Sequence, residues 1–308
     1  MCKDTLIVRK YHLYLFYLKA KQHSMIVFKS ILGLQNYLQK KKQKGLSVGF
    51  VPTMGALHQG HISLINAANK QVDITVCSVF VNPTQFNDSK DFERYPVTIE
   101  DDILLLEKNN CDVLFLPSVV EMYPNGIVSS IHYDLGFVET VLEGAFRPGH
   151  FQGVCQVVHL LLKIVQPEIL FLGQKDYQQC MVLKKMLTLT KLDQSVTINI
   201  CPILREPSGL AMSSRNVRLT GEQKEKATVI FKSLLFIQKN IYTSSIDALE
   251  QKVKLQLLDN GFEQIDYVAV ANANDLSLIE QWDKKTPIIA LIAGFIGGVR
   301  LIDNMILN

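Results

Sequence analysis

Between about residue 46 and residue 202, short apolar runs alternate with stretches in which apolar residues recur at helical spacing. The runs at 47–51, 74–81, 113–116, 169–172 and 196–201 are rich in Val, Ile and Phe, and several are nearly continuous rather than alternating. A strand that is apolar at successive positions is buried on both faces, which suits a parallel sheet covered by helices above and below. Phe151, Val154, Val157, Val158, Leu161, Leu162 and Val165 repeat at helical spacing, and Pro167 ends that segment. Strand–helix–strand repetition of this kind predicts an α/β fold built on a doubly wound parallel sheet. In such sheets ligands bind at the carboxyl ends of the strands.

The pattern changes after about residue 203. Thr220 and Gln223 are spaced as a capping box that opens a helix. A second helix is predicted over Ile246–Asp259, and strand-like runs follow at 267–271 and 288–293. These elements predict a smaller carboxy-terminal α+β domain over 203–308, joined through a linker near 202–209 to a first domain over 25–202. The apolar run at 287–299 contains Gly294, Gly297 and Gly298 and falls short of the ~18 residues of a membrane span, so it reads as buried strand. Residues 1–24 do not conform to the rest of the chain. Their apolar stretch at 13–18 lies between Arg9, Lys10, Lys19 and Lys21, but it is short and no small-residue cleavage site follows it, which argues against a signal peptide.

Composition narrows the class. The chain has 308 residues, of which 48% are hydrophobic and 20% charged, enough apolar material for a sizeable core. A net charge of +3 gives no case for nucleic acid, and the cluster Lys40, Lys41, Lys42 and Lys44 reads as the solvated end of a helix. Six cysteines contain no C-x-x-C pair, and Cys77, Cys111 and Cys201 sit in or beside apolar runs, where a thiol behaves as a small hydrophobe. Neither a zinc framework nor a secreted disulfide scaffold fits; a reduced, cytoplasmic setting does.

Five polar clusters carry the candidate chemistry. In VPTMGALHQGH, at 51–61, a strand runs into a helical pattern. His58 and His61 are three apart, so both imidazoles project from one face of a first helical turn, where unpaired N–H groups favour phosphate. Two such histidines could also chelate a metal, but no Glu lies between them as in H-E-x-x-H and no third ligand is evident, which favours phosphate. Asn82 and Gln85 follow the second strand, where neutral amides can hold a hydroxyl or carboxylate without adding charge. Arg147 and His150 lie in a glycine-rich loop suited to anions. Lys175 and Asp176 follow another strand; the first offers a point charge for phosphate, the second a partner for a ribose hydroxyl or Mg²⁺. Ser213, Ser214 and Arg215 make a compact clamp for a leaving pyrophosphate. Each cluster has a bland alternative as a turn, a helix start or a structural salt bridge. Their order along the chain gives them weight together.

With VPTMGALHQGH go SVFVNPTQF, RYPVT, YPNG, LEGAFRPGHFQGV, FLGQKDYQQ, REPSGLAMSSRN and RLIDN, in that order. This set resembles the pantoate–β-alanine ligase (pantothenate synthetase) family of the H-x-G-H nucleotidyltransferase superfamily, from about Met25 to Asn304. H-x-G-H alone also occurs in adenylyltransferases and class I aminoacyl-tRNA synthetases; the ordered set is far more specific. The opening MIVFKSILGL at Met25 looks like the family's first strand, which sets residues 1–24 apart as an extension or a mis-assigned start.

The resemblance implies a Rossmann-like first domain, a mobile carboxy-terminal cover and a homodimer, with no nucleic-acid or membrane partner. It implies an ATP-dependent ligase that forms pantoyl adenylate from pantoate and ATP with Mg²⁺, then pantothenate by attack of the β-alanine amine. Carried onto this chain, Met54, Gly55, Ala56, Leu57, His58, Gln59, Gly60 and His61 would line ATP, with His61 as proton donor. Gly173, Gln174, Lys175, Asp176, Leu204, Met212, Ser213, Ser214 and Arg215 would also contact ATP. Gln85 and Gln179 would bind pantoate, with Gln85 also near β-alanine, and Asn82, Arg147 and His150 would assist. The catalytic set would be His58, His61, Lys175 and Arg215. Mg²⁺ would ride on ATP, near Asp176, rather than occupy a protein metal site. A plain nucleotidyl transfer to a phosphorylated acceptor is the main rival; Gln85 and Gln179 suit a carboxylate better than a phosphate.

Overall fold

The computed structural model describes residues 24–86, 92–126 and 131–308. The 13–18 run and, apart from Ser24, the extension assigned to residues 1–24 lie outside them. The first sheet has six parallel strands: β1 (Ile26–Phe28), β2 (Val48–Thr53), β3 (Ile74–Val79), β4 (Val113–Phe115), β5 (Ile169–Gly173) and β6 (Thr197–Cys201). They lie in the order β1-β4-β3-β2-β5-β6.

The near-continuous apolar runs are explained by two cores, one on each face. Phe50, Val76, Val113, Phe115, Leu170 and Leu172 point to one face. There they meet α1 (Ile31–Lys42), α4 (His150–Val165) and α5 (Tyr177–Leu189) through Leu34 and Leu38, Phe151 and Val154, and Leu183 and Met186. The intervening residues Val51, Cys77, Leu114 and Phe171 point to the other face, against Leu64, Ile65 and Ala68 of α2 (Gln59–Ala68) and Leu106 of α3 (Ile99–Lys108). Each fully buried Phe contributes about 1.5–3 kcal/mol through lost water contact. Lys40, Lys41 and Lys42 of the lysine cluster lie in the last turn of α1, where cations offset the negative end of the helix dipole, and Lys44 follows beyond it. Five cysteines, Cys77, Cys111, Cys155, Cys180 and Cys201, are free and buried.

The chain runs from β2 outward through β3 to β4, then returns to build β5 and β6 on the opposite side of β2. The order therefore reverses between β2 and β5, and a crevice opens at their carboxyl ends. This switch point lies beside the two loops that begin at Met54 and Gln174.

Beyond β6 come α6 (Gly221–Ala227), α7 (Val229–Asn240) and α8 (Ile246–Asp259), the first opened by the predicted Thr220–Gln223 capping box. They cover one face of an antiparallel sheet of β7 (Gln264–Asn272), β8 (Ile288–Ile296) and β9 (Val299–Ile306), ordered β7-β8-β9. The other face of that sheet packs on the first unit. Ala269, Ala271, Leu291 and Ala293 sit against Tyr177 and Leu142. Strand β9 escapes the sequence pattern because Arg300, Asp303 and Asn304 interrupt its apolar positions. No helix among the described residues is long and apolar enough to cross a membrane.

Candidate active site

The loop after β2 is built around its two histidines. His58 is the N-cap of α2, and its Nδ1 accepts the Gly60 N–H at 3.1 Å. His61, at the third helical position, returns the contact: its Nδ1 accepts the His58 N–H at 3.2 Å. The pair forms a reciprocal capping box in imidazoles, with ring centroids 4.1 Å apart. An Nδ1 that accepts carries no proton, so in each neutral ring the proton sits on Nε2. Both rings border the crevice. Glycine is needed between them for a steric reason, since a Cβ on Gly60 would lie 2.7 Å from Cε1 of His58.

Burial, with Lys175 nearby, lowers the pKa of His58 to about 4. Burial, His58 and Lys175 lower that of His61 to about 3. The rings are therefore neutral donors at physiological pH. Their unfolded pKa is near 6.5, so between roughly pH 3 and 6.5 the unfolded chain binds more protons and stability falls as pH falls. His150, lowered to about 4 chiefly by burial and then by Arg147, adds to the slope. The denaturation midpoint is thus expected to drop between pH 7 and pH 5, and to drop less steeply in a His58→Asn, His61→Asn double variant. Equal slopes in the two proteins would refute neutral, buried imidazoles.

Next to β2 in the sheet, β5 ends in a short turn holding Gln174, Lys175 and Asp176. Lys175 Nζ lies 3.8 Å from Asp176 Oδ1. After β6 the chain doubles back: Glu206 N donates to Leu210 O at 2.8 Å and Met212 N to Leu204 O at 3.1 Å. This fold-back returns Ser213, Ser214 and Arg215 to the crevice, and Ser214 Oγ donates to Ala56 O at 2.9 Å, tying the returning segment to the histidine loop.

The resulting cleft encloses about 220 Å³. His58, His61, Lys175 and Arg215 all border it, as do Met54, Gly60, Gly173 and Asp176. Gln85, Gln179, Leu204, Met212, Ser213 and Ser214 complete the predicted residues found there. Val154, Val157, Leu161 and Leu183 line its apolar end. The cleft adjoins a second cavity of about 400 Å³ between the two sheets, with Lys175, Asp176, Ser213 and Arg215 bordering both. Six cationic side chains line that cavity, Arg94, Arg147, Lys175, Arg215, Arg218 and Arg300, against four carboxylates, Glu143, Asp176, Asp266 and Asp303, so it is basic by a margin of two charges.

Several predicted contacts lie elsewhere. Asn82 is 1% exposed and does not border the cleft. Its amide donates to Thr84 Oγ1 at 2.8 Å and its Oδ1 accepts from the Tyr123 hydroxyl at 2.9 Å, so it braces the 82–85 turn. Gln59 is exposed on the first turn of α2. Gln174 turns to the second sheet, its Nε2 donating to Asn304 Oδ1 at 3.2 Å. Gly55 and Ala56 border a separate pocket behind the histidine loop. Arg147 faces the larger cavity, 3.7 Å from Glu143. His150 is buried, with Nδ1 2.8 Å from Gln85 O, and so fixes the turn that carries Gln85.

Other residues bear on the site without having stood out in the sequence. Tyr95, 9% exposed, borders the cleft with the Arg215 guanidinium 5.8 Å from its ring centroid. Glu143 is buried and accepts a bidentate pair from Arg300, at 2.7 and 2.8 Å, and the Tyr267 hydroxyl at 2.7 Å. Burial alone would raise its pKa, but the Arg300 hydrogen bonds and charge outweigh burial and hold it below the ordinary value. Arg205 pairs with Asp303 at 2.5 and 3.0 Å. RYPVT and RLIDN contain three of these residues, Tyr95, Arg300 and Asp303, but the sequence does not say what they touch.

The geometry is a switch-point cleft with two neutral N–H donors, an ammonium and a guanidinium. It opens on a basic cavity at one end and an apolar, amide-bearing pocket at the other. Such an arrangement can hold a polyphosphate and move charge onto it, next to a small acid.

Known proteins share this arrangement of sequence and fold. The family model for pantoate–β-alanine ligase matches residues 26–306. The chain is 42% identical over 285 residues to a pantothenate synthetase of Cytophaga hutchinsonii, covering 92% of this chain and 99% of that one. It is 44% identical over 285 residues to one of Fervidobacterium nodosum, covering 92% and 100%. Among solved structures, pantothenate synthetase from Thermus thermophilus matches with a TM-score of 0.84 and 37% identity, covering 92% of this chain and 99% of that one. The pantoate–β-alanine ligase of Francisella tularensis, complexed with βγ-ATP and β-alanine, matches with a TM-score of 0.76 and 37% identity, covering 92% and 98%.

Proposed function

Because the chain belongs to the pantoate–β-alanine ligase family, we propose that this cleft condenses pantoate with β-alanine, using ATP, through a pantoyl-adenylate intermediate. A carboxylate is a poor electrophile, and adenylation gives its carbon a good leaving group. A pantoate oxygen attacks the α-phosphorus as the bond to pyrophosphate breaks. Negative charge builds on the equatorial and leaving oxygens, where the Nε2–H groups of His58 and His61, the Lys175 ammonium and the Arg215 guanidinium stabilise it. Pyrophosphate is received by the basic cavity, which shares Lys175 and Arg215 with the cleft. The β-alanine amine then attacks the acyl carbon, the bond to AMP breaks, and the amine loses its proton as pantothenate forms.

Gln85 and Gln179 take the carboxylate and hydroxyl groups of pantoate without repelling them. Leu183, one turn beyond Gln179 on α5, and Val154 and Val157 of α4 meet its methyl groups. Orientation of this kind lowers the barrier by positioning. Mg²⁺ would ride on the triphosphate, with Asp176, the carboxylate bordering the cleft, beside it. The donor set thus fits an ion held mainly by phosphate oxygens, which would supply charge neutralisation there. Residues 203–308 act as the cover over the 25–202 unit, excluding water from the adenylate. Two chains pair as a homodimer, and the reduced cytoplasm suits the five buried thiols.

The convergence of His58, His61, Lys175 and Arg215 on one cleft carries this proposal. Labelled pyrophosphate is expected to exchange into ATP when pantoate is present and β-alanine absent, while net AMP release requires all three substrates. Exchange that ignores pantoate, or AMP transferred to a phosphorylated acceptor without amide formation, would overturn it.

A further inference from the structure

Asp102 lies in the first turn of α3 and is 2% exposed. Among the described residues no cation pairs with it. Its Oδ2 accepts the Ala56 N–H at 3.0 Å and its Oδ1 accepts the Leu57 N–H at 2.7 Å, across 45 or more positions of sequence. The Thr98 hydroxyl, 3.2 Å from Oδ1, orients the carboxylate from its own helix start. The two amides that it holds belong to the turn immediately before His58, and that turn has an unusual backbone. Gly55 has φ +84° and Ala56 φ +48°. An L-residue takes the left-handed region only where its surroundings impose it. The fit leaves no slack, because a Cβ on Gly55 would lie 3.0 Å from Asp102 Oδ2 and 2.9 Å from Val79 Cγ1.

We infer that Asp102 is a positioning residue for adenylate formation: its two oxygens hold consecutive backbone N–H groups of residues 56 and 57, and so lock the left-handed turn that delivers His58 to the N-cap and aims both imidazole Nε2–H groups into the cleft. Two parallel acceptors are required for this, and among side chains an ionised carboxylate supplies them without a competing donor. If the turn relaxes, the Gly60→His58 and His58→His61 contacts lose their registry, and with them the single tautomer of each ring. The inference deepens the proposed adenylation and rests on that reading for its kinetic test only.

The decisive variant is Asp102→Asn, equal in shape but able to accept from only one of the two N–H groups while turning a donor toward the other. It is expected to lower kcat for pantoate-dependent pyrophosphate exchange roughly 10- to 150-fold, the size of one hydrogen bond to a charged group. The KM values for pantoate and ATP should change much less. Nitrogen-15 NMR of the histidine side chains should show His58 and His61 as Nε2–H tautomers in the parent protein and as averaged tautomers in the variant. Ala56→Gly, which frees the left-handed turn from strain, should restore part of the lost kcat when added to Asp102→Asn, and also serves as the test should the single variant fold poorly. Unchanged tautomers and kcat in Asp102→Asn, or a loss that Ala56→Gly leaves untouched, would overturn the inference. Parent protein without pantoate-dependent exchange would instead refute the proposed function, while the NMR comparison still decides the role of Asp102.

Discussion

Replacing His61 with alanine is expected to lower kcat for pantoate-dependent pyrophosphate exchange about 10²- to 10³-fold, or roughly 3–4 kcal/mol of transition-state stabilisation. The loss should fall mainly on kcat, because the Nε2–H of a neutral ring matters most when charge moves onto the phosphate oxygens. A protonated ring would have attracted the ground-state triphosphate as strongly, but with a pKa near 3 this ring carries no charge at neutral pH. The variant also strips the His58 N–H of its acceptor, which adds about 1 kcal/mol of lost capping. His61→Asn separates the two effects, since an amide keeps an acceptor for the cap and a donor near the cleft. Steady-state and exchange kinetics on the three proteins should rank them parent, Asn, Ala; an alanine variant with parental kcat would remove His61 from the chemistry.

The second large effect is on stability. Arg300→Met should destabilise the fold by about 3 kcal/mol, since removing one partner of a buried pair leaves an uncompensated charge. Arg300 is 18% exposed and Glu143 keeps the Tyr267 hydroxyl and the more distant Arg147, but Asp266, its side chain 3% exposed, also loses its 2.7 Å partner, so about 3 kcal/mol is the least to be expected. The pH dependence gives an independent check. In the parent, Glu143 has a pKa below its unfolded value, so its contribution is present above that value and is lost as pH falls through the folded one. In the variant burial dominates and the folded pKa rises, so the carboxyl takes up a proton at higher pH. The gap between the two denaturation midpoints should therefore be widest near pH 7 and narrow toward pH 4. A constant gap would mean that the lost stability is packing rather than charge.

Much of the first sheet was legible because its strands are apolar at consecutive positions. Phe50 and Val51, or Leu170 and Phe171, point to opposite faces and both faces are covered, so the run itself announces a parallel sheet. The histidine loop was legible because its spacing makes sense only on a helix start. The lock on that loop was not. In sequence Asp102 is one of three acidic residues opening a helix, and nothing local separates it from Glu100 or Asp101. Asn82 shows the converse: an amide at a strand's end looks available, but Tyr123, Thr84 and Gly153 use it up from positions that sequence does not connect. The polar residues of β9 hid both their strand and their purpose, because a buried polar side chain resembles a loop residue until its partner is known.

Those residues of β9 bear on when activity can first arise during synthesis. The Asn304 amide donates to the carbonyls of both Gln174 and Lys175 at 2.9 Å, so the loop carrying the Lys175 ammonium is gripped from the last strand of the second sheet. A nascent chain can complete its six-stranded sheet on the ribosome and still lack this grip. During synthesis the lysine is therefore loosely held until β9, 130 positions beyond its loop, has joined the second sheet.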